Sequence, residues 1–383
     1  MIRRTPILRS RVCHVTTVHP AFDNRIFFKM CTSLADAGYD VTLLCARAVS
    51  QVRNNVNIVG FQGHTQRLKR CLITSILKAY KAARRSNADI YHLHDLELVW
   101  AGLFLRAKGK VVIMDVHENY AASMLSKPYL RLAVVRKALS WAIRHIERAL
   151  FRYFSAVVAA RPDIAALYPA LGPVTIRNFP ILPNVTSVKD AKIEKTKPAV
   201  IYVGGVSAIR GIAELTRAME RLEGVELWIL GPFESDSFRA RCERLAGWRK
   251  VRYFGCVEAS QVFSYIRMAD IGVVTFLPYP NHITTLATKP FEYMACGLPM
   301  VMSDFPYWRE FFGGSALYCN PADPQDIAQC IDKLLKDKEM SRAMGNRNLR
   351  LVRDEYDWDK EKTRLLDLYA KLSMHRVAGC NSR

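Results

Sequence analysis

Short apolar runs alternate with stretches of helical spacing along nearly the whole chain, and they do so in two series. Val12–Thr17, Val41–Cys45, Ile90–Leu93, Val111–Asp115 and Ala156–Ala160 make the first. Ala199–Val203, Leu227–Leu230, Val251–Phe254, Ile271–Thr275 and Met300–Ser303 make the second. Runs this short and this apolar predict strands buried on both faces, as in a parallel sheet. Phe27–Ala37, closed by Gly38, has helical spacing, and helices are expected at about 211–222, 237–246, 260–268 and 325–336. Two such series predict an α/β protein with two doubly wound domains. A length of 383 residues agrees, because it exceeds what one core holds comfortably. The expected division is a first domain over 1–180, a second over 199–357, and a helix and tail over 358–383. The stretch 181–198 between the domains is polar, contains Pro and Lys, and reads as a linker.

The net charge of +21 is unevenly placed. Residues 1–180 hold 27 Lys/Arg against 10 Asp/Glu, leaving +17, and the remainder of the chain carries +4. Such a field attracts nucleic acid, an anionic membrane or an anionic substrate. In 126–153, Leu132, Val135, Leu139, Ile143, Ile146 and Leu150 share one helical face, expected to pack on a core. Lys137, Arg144, Arg148 and Arg152 fall on the opposite face, and Arg67, Arg70, Lys78, Lys81 and Arg85 share a side of 66–85. A polybasic face beside anionic lipid gains about 1 kcal/mol per Lys or Arg. The ten cysteines show no metal spacing and read as small core residues in a reducing compartment. No apolar run approaches the ~18 residues of a membrane span, and the basic start lacks a signal-peptide core.

Ligands of open parallel sheets bind beyond the carboxyl ends of the strands, so the loops after the runs carry the candidate residues. After the first run come Thr16-Thr17-Val18-His19-Pro20-Ala21-Phe22-Asp23-Asn24-Arg25-Ile26, where Asp23 or Asn24 can cap the next helix. Capping and the approach of an anion use the same helix end. His92-Leu93-His94-Asp95 ends the third run, and His-x-His puts two rings on one strand face. That spacing suits a metal, but no further ligands accompany it in sequence, so no metal is expected. His117 lies just past the carboxyl end of Val111–Asp115, where a ligand group or a structural hydrogen-bonded histidine belongs. In the stretch from Ala199 to Gly211, Gly204 and Gly205 let the backbone approach a ligand, and Arg210 can neutralise a diphosphate. The dinucleotide glycine fingerprint is absent there.

The stretch from Thr284 to Asp304 reads as loop, short helix, tight turn and buried strand. Gly297 fits the helix C-cap, and Pro299 prevents continuation. Glu292 stands one turn inside the helix, behind Thr284, Thr285 and Thr288. A lone carboxylate there suits a bidentate bond to two neighbouring hydroxyls such as those of a ribose; the plainer reading is a surface Glu.

This stretch resembles the nucleotide-sugar pocket of GT-B glycosyltransferases, most closely the retaining glycosyltransferase family 4, and the likeness covers most of the chain. It implies two Rossmann-like domains facing a cleft, with the last helix, about 358–373, returning to the first. It implies transfer of a sugar from a nucleoside diphosphate sugar to a lipid-linked saccharide with retention, in capsule, exopolysaccharide or O-antigen assembly. The enzyme would be cytoplasmic, peripheral on the inner face of the plasma membrane, with no metal cofactor and no nucleic-acid partner. Lys137, Arg144, Arg148 and Arg152 would face the lipid. The resemblance places His117 against the donor sugar, and Arg210 with Lys289 against the diphosphate, as the catalytic group. Gly204, Gly205, Thr284, Thr285, Thr288 and Glu292 complete the donor side. His19, Asp23, Arg25, His94 and Asp95 would lie on the acceptor side. Asp23-x-Arg25-Ile26 resembles a subgroup of bacterial polysaccharide synthesis, and Phe254–Val257 resembles the base-binding region.

The chain departs from the family in two places. Family members usually have Arg after the first Gly and Lys before the later one. Here those places hold Gly205 and Arg210, so Lys289 is expected to supply the second charge. The family also pairs two Glu separated by seven residues. Glu292 matches the second, and Thr284 occupies the first. Front-face departure and attack, with the leaving diphosphate taking the acceptor proton, tolerates that loss; double displacement on the first acid does not. A GT-B-fold sugar-nucleotide epimerase, a basic nucleic-acid-binding protein and a non-catalytic paralogue are the alternatives.

Overall fold

The computed structural model describes residues 10–64, 73–125, 132–182, 185, 193–258 and 261–380. The chain divides into two compact units, Met1–Asn178 with Asp359–Arg383, and Phe179–Trp358. Half of the expected linker, 183–184 and 186–192, lies outside the described residues, as do Arg67 and Arg70.

The first unit is built on eight strands: β1 Arg11–Thr16, β2 Asp40–Ala46, β3 Gln51–Arg53, β4 Val56–Phe61, β5 Ile90–Leu93, β6 Val111–Val116, β7 Ala156–Ala159 and β8 Val174–Thr175. Their spatial order is β3-β4-β2-β1-β5-β6-β7-β8, and every pair is parallel except β3 with β4. The second unit has six parallel strands: β9 Ala199–Val203, β10 Glu226–Leu230, β11 Val251–Gly255, β12 Ile271–Val274, β13 Met300–Ser303 and β14 Leu317–Cys319. They run in the order β11-β10-β9-β12-β13-β14. Strand order reverses at β1 in one sheet and at β9 in the other. The loops leaving β1 and β5, and those leaving β9 and β12, therefore part at the carboxyl edge and leave a crevice in each unit.

Burial explains which strands were readable. β5, β9 and β13 are wholly buried and have the expected bounds. β3 is exposed and polar, and β8 has two residues, so neither carries an apolar run. The expected helix Phe27–Ala37 is a π-helical turn, Ile26–Cys31, that continues as Thr32–Asp36. The C-terminal helix is longer than expected, Trp358–Cys380, and Glu361 on it accepts from Arg177 N and Nε within the first unit.

The basic helix of the first unit spans Ala133–Phe151 and corrects one expectation. Its buried residues are Ser140, Glu147 and Phe151. Leu132, Val135, Leu139 and Ile146, expected to pack on a core, are exposed. Val134 and Trp141 are exposed too, at 78% and 64%. Periodicity says that a face is apolar and does not say what covers it.

Glu147 is the charged residue on the buried side. Tyr168 donates to its Oε2 at 2.8 Å, and Oε1 has no hydrogen-bond partner among the described residues. Burial pushes the carboxyl up to about 7. The folded protein thus keeps a proton that the unfolded chain releases at lower pH. The stability this contributes is complete below the unfolded pKa and is lost as pH rises through about 7. Urea midpoints should therefore fall between about pH 5 and pH 8 in the native protein, and fall less in Glu147→Gln. Equal slopes for the two proteins would remove Glu147 as the cause.

Candidate functional site

In the second unit the site grows from the end of β9. Gly204 has φ +135°, a conformation that side chains resist. A Cβ placed on it would lie 3.2 Å from Arg210 Nη1 and 3.5 Å from Lys289 Cε. Two cations from different segments therefore border one stretch of bare backbone. Arg210 is aimed rather than loose. Its Nη1 donates to Gly205 O at 2.9 Å, Tyr202 donates to the same carbonyl at 2.8 Å, and the guanidinium lies 5.6 Å from the Phe276 ring centroid. Sequence reading missed Tyr202, whose position inside an apolar strand looks like core.

Glu292 lies in the helix Lys289–Ala295 and is 9% exposed. It is not the lone carboxylate expected: Lys289 Nζ donates to Oε1 and Oε2 at 3.2 and 3.0 Å. The i, i+3 spacing was the available signal. After the helix, Gly297 takes φ +71°, Gly297 N donates to Met294 O, and Leu298 N donates to Tyr293 O. Those two bonds form a Schellman stop, which turns the chain into β13 and fixes the register of Glu292. Thr284 is exposed, and its hydroxyl donates to Pro280 O at 3.0 Å. The Thr285 carbonyl accepts from Trp308 Nε1 at 2.6 Å. Thr288 precedes the helix and makes no side-chain cap.

In the first unit the loop after β1 is tied down by Asp95. Its Oδ2 accepts from Thr16 Oγ1 at 2.9 Å and Thr17 N at 2.6 Å. Asp23 Oδ1 accepts from Arg25 N and Ile26 N at 2.8 and 2.9 Å, the capping geometry expected. Its Oδ2 faces His19 Nδ1 at 3.4 Å. Burial opposes a charge on His19, but Asp23 and Asp95 outweigh it and raise the imidazole above its ordinary range. Arg25 forks onto Asp115, Nε to Oδ2 at 3.1 Å and Nη2 to Oδ1 at 2.9 Å. Burial alone would raise the Asp115 carboxyl, yet Arg25 and His117 hold it well below the ordinary range. Arg25, His94 and Asp95, expected on the acceptor side, are all buried. Of that group His19 and Asp23 are partly exposed.

His117 follows β6 and is the partly exposed member of a histidine group. Its Nε2 lies 3.1 Å from Asp115 Oδ2 and 3.2 Å from His94 Nδ1. His14 and Tyr369, which sequence reading missed, complete the group. β1 pairs with β5 so that His14 stands opposite His92. Tyr369 arrives from 277 residues beyond His92, a contact no local pattern announces. His92, His94 and Asp115 place ligand atoms within 4.8 Å of one another, so the third ligand absent from the sequence motif exists in space. The Arg25 fork covers both Asp115 oxygens, and a divalent ion there would meet a guanidinium. A hydrogen-bonded network fits the geometry better than a metal centre.

Comparison with known proteins bears on both units. Residues 24–184 match the model of a glycosyl transferase 4-like domain, and residues 197–337 match that of glycosyl transferases group 1. An uncharacterized glycosyltransferase of Methanocaldococcus jannaschii is 25% identical, over 48% of this chain and 47% of its own. The lipopolysaccharide core biosynthesis glycosyltransferase LpsE of Rhizobium meliloti is 27% identical, over 51% and 58%. The chain thus spans about half the length of the curated relatives it matches. Among solved structures, sucrose-phosphate synthase from Thermosynechococcus elongatus superposes with a TM-score of 0.75 at 19% identity, covering 95% of this chain and 99% of its own. Anabaena HepE, in complex with UDP-glucose, superposes with 0.70 at 12% identity, covering 94% and 100%. The likeness to both is one of fold.

Proposed function

The chain belongs to the GT-B glycosyltransferases of the family 4 type, and from that membership we propose that it moves a sugar from a nucleoside diphosphate sugar to a lipid-linked saccharide, with retention, in surface-polysaccharide assembly. The observation that carries this reading is the convergence of Arg210 and Lys289 on the bare backbone of Gly204. Two cations at the carboxyl edge of a parallel sheet suit a diphosphate. Glu292 then holds the nucleotide ribose, accepting from its hydroxyls while Lys289 turns toward phosphate. His117 faces the sugar. The LpsE relative supports the polysaccharide pathway, and the UDP-glucose bound to HepE supports the donor class.

The proposed mechanism needs no enzyme nucleophile. The Thr284 hydroxyl is engaged by a backbone carbonyl, and the buried Glu292 is paired with Lys289. Departure of the diphosphate and attack by the acceptor occur on one face, and a diphosphate oxygen takes the acceptor proton. Arg210 stabilises the charge that develops on the leaving group. Because side chains supply that charge, activity should be unaffected by EDTA. Loss of activity in EDTA, restored by manganese, would contradict this.

The lipid-linked acceptor is presented at a membrane surface. Among the described residues no helix is long and apolar enough to cross a bilayer. The helix Ala133–Phe151 instead exposes apolar Val134, Trp141 and Ile146 together with Lys137, Arg148 and Arg152. Apolar insertion plus basic charge is the composition of an interfacial helix.

The test is nucleoside diphosphate release from UDP-, GDP- and ADP-sugars, with and without a bacterial lipid extract. One donor should turn over, and only with extract. Conversion of a sugar nucleotide to an isomer without extract would establish an epimerase instead.

A further inference from the structure

Five groups in the first unit form a closed circuit. His94 Nδ1 lies 3.4 Å from Asp115 Oδ2, and His14 Nδ1 lies 2.9 Å from His94 Nε2. Tyr369 Oη lies 3.2 Å from His14 Nε2 and 2.8 Å from His92 Nδ1. His92 Nε2 closes the circuit at 3.8 Å from Asp115 Oδ2. All five residues are fully buried. Burial depresses the imidazoles, His14 and His92 well below the ordinary range and His94 to about 4. They are therefore neutral at pH 7, while Arg25 keeps Asp115 ionised.

A neutral imidazole carries one N–H, a phenol one O–H, and a carboxylate none. The circuit therefore has four hydrogens for five links, and one link must stay empty. The distances identify it. Four links are within 3.4 Å, and the fifth is the 3.8 Å gap, where His92 Nε2 has no hydrogen-bond partner among the described residues. With that link empty, every hydrogen points one way. His92 Nδ1–H donates to Tyr369, Tyr369 O–H to His14 Nε2, His14 Nδ1–H to His94 Nε2, and His94 Nδ1–H to Asp115. His94 Nδ1 then has no lone pair for His117, and a bare His117 Nε2 would face the ionised Asp115 carboxylate at 3.1 Å and be repelled, so His117 Nε2–H donates to Asp115. In the neutral ring Nδ1 is left bare, and among the described residues it makes no hydrogen bond. The His19 ring, 5.0 Å away between centroids, is the other imidazole beside it.

We propose that Asp115 is a positioning residue for His117: as the acceptor-only member it sets the direction of the hydrogen-bond circuit, and it holds His117 as the Nε2–H tautomer with Nδ1 as an acceptor for a substrate hydroxyl. The tautomers follow from the distances together with the neutral imidazoles and the ionised carboxylate, whereas the part played by Nδ1 rests on the proposed transfer reaction.

The test is long-range proton–nitrogen NMR of protein labelled with nitrogen-15 in histidine, on the native chain and on Asp115→Asn. The native spectra should show His14, His92 and His94 protonated at Nδ1 and His117 at Nε2. Asp115→Asn replaces the acceptor-only carboxylate by an amide that can also donate, so the His117 signal should split between tautomers. Turnover should fall by about tenfold, with the donor KM nearly unchanged. Native spectra with His92 protonated at Nε2, His94 bare at Nδ1, or His117 protonated at Nδ1 alone would overturn the proposal. So would a folded Asp115→Asn protein with native tautomers and native turnover. The native spectra decide the tautomers even if the variant fails to fold. Expected spectra from a protein that transfers no sugar would count against the transfer reaction and leave the circuit standing.

Discussion

Arg210→Ala should lower turnover by about two to three orders of magnitude, the range seen when one preorganised donor to a developing anion is removed. Arg210 is held by the Gly205 carbonyl and stands against the face of Phe276. It is therefore aimed before any ligand arrives, and its charge needs no reorganisation as the diphosphate leaves. Lys289 cannot replace it fully, because without ligand it is bound to both Glu292 oxygens and must turn away from them to reach phosphate. The fold should survive the change, since Tyr202 still donates to the Gly205 carbonyl. Steady-state kinetics with a saturating acceptor checks the effect, and a circular dichroism spectrum checks the fold. Turnover within about threefold of native would place the leaving group elsewhere.

Reversing Lys137, Arg144, Arg148 and Arg152 to Glu should weaken binding to anionic vesicles by about a thousandfold. At about 1 kcal/mol for each basic residue near the surface, losing four such terms is worth that factor, and the new carboxylates add repulsion. Binding of the native protein should fall steeply with salt, because the Debye length shrinks from about 10 Å at 0.1 M to about 3 Å at 1 M. It should not fall to zero, since exposed Val134, Trp141 and Ile146 supply an apolar term that salt does not screen. Co-sedimentation with vesicles of graded anionic content measures both parts. Equal sedimentation of native and reversed proteins would make this helix an ordinary solvated face.

The two βα series were legible because parallel strands buried on both faces leave unbroken apolar runs, as in β5, β9 and β13. The positions of Gly204, Arg210 and Glu292 were legible for a related reason: a strand end, a glycine and a helix start are local features. The apolar stripe of Ala133–Phe151 was legible as a stripe, but its surroundings depend on which elements cover it. The histidine circuit was half visible. His92, His94 and His117 stand at strand ends, whereas His14 lies within a strand and Tyr369 meets it across 355 residues. The pairing of Lys289 with Glu292 was written in their spacing and was missed because each was assigned a ligand of its own.

Nucleotide recognition in the second unit is what the proposed function most directly requires. Calorimetric titration of UDP, GDP and ADP into the native protein and into Glu292→Ala tests it. One nucleoside diphosphate should bind the native protein. Its affinity should drop by about tenfold to a hundredfold in a folded Glu292→Ala protein, the loss expected for charge-assisted hydrogen bonds to a ribose. Absence of binding by all three, or an affinity that Glu292→Ala leaves unchanged, would contradict the donor site described here.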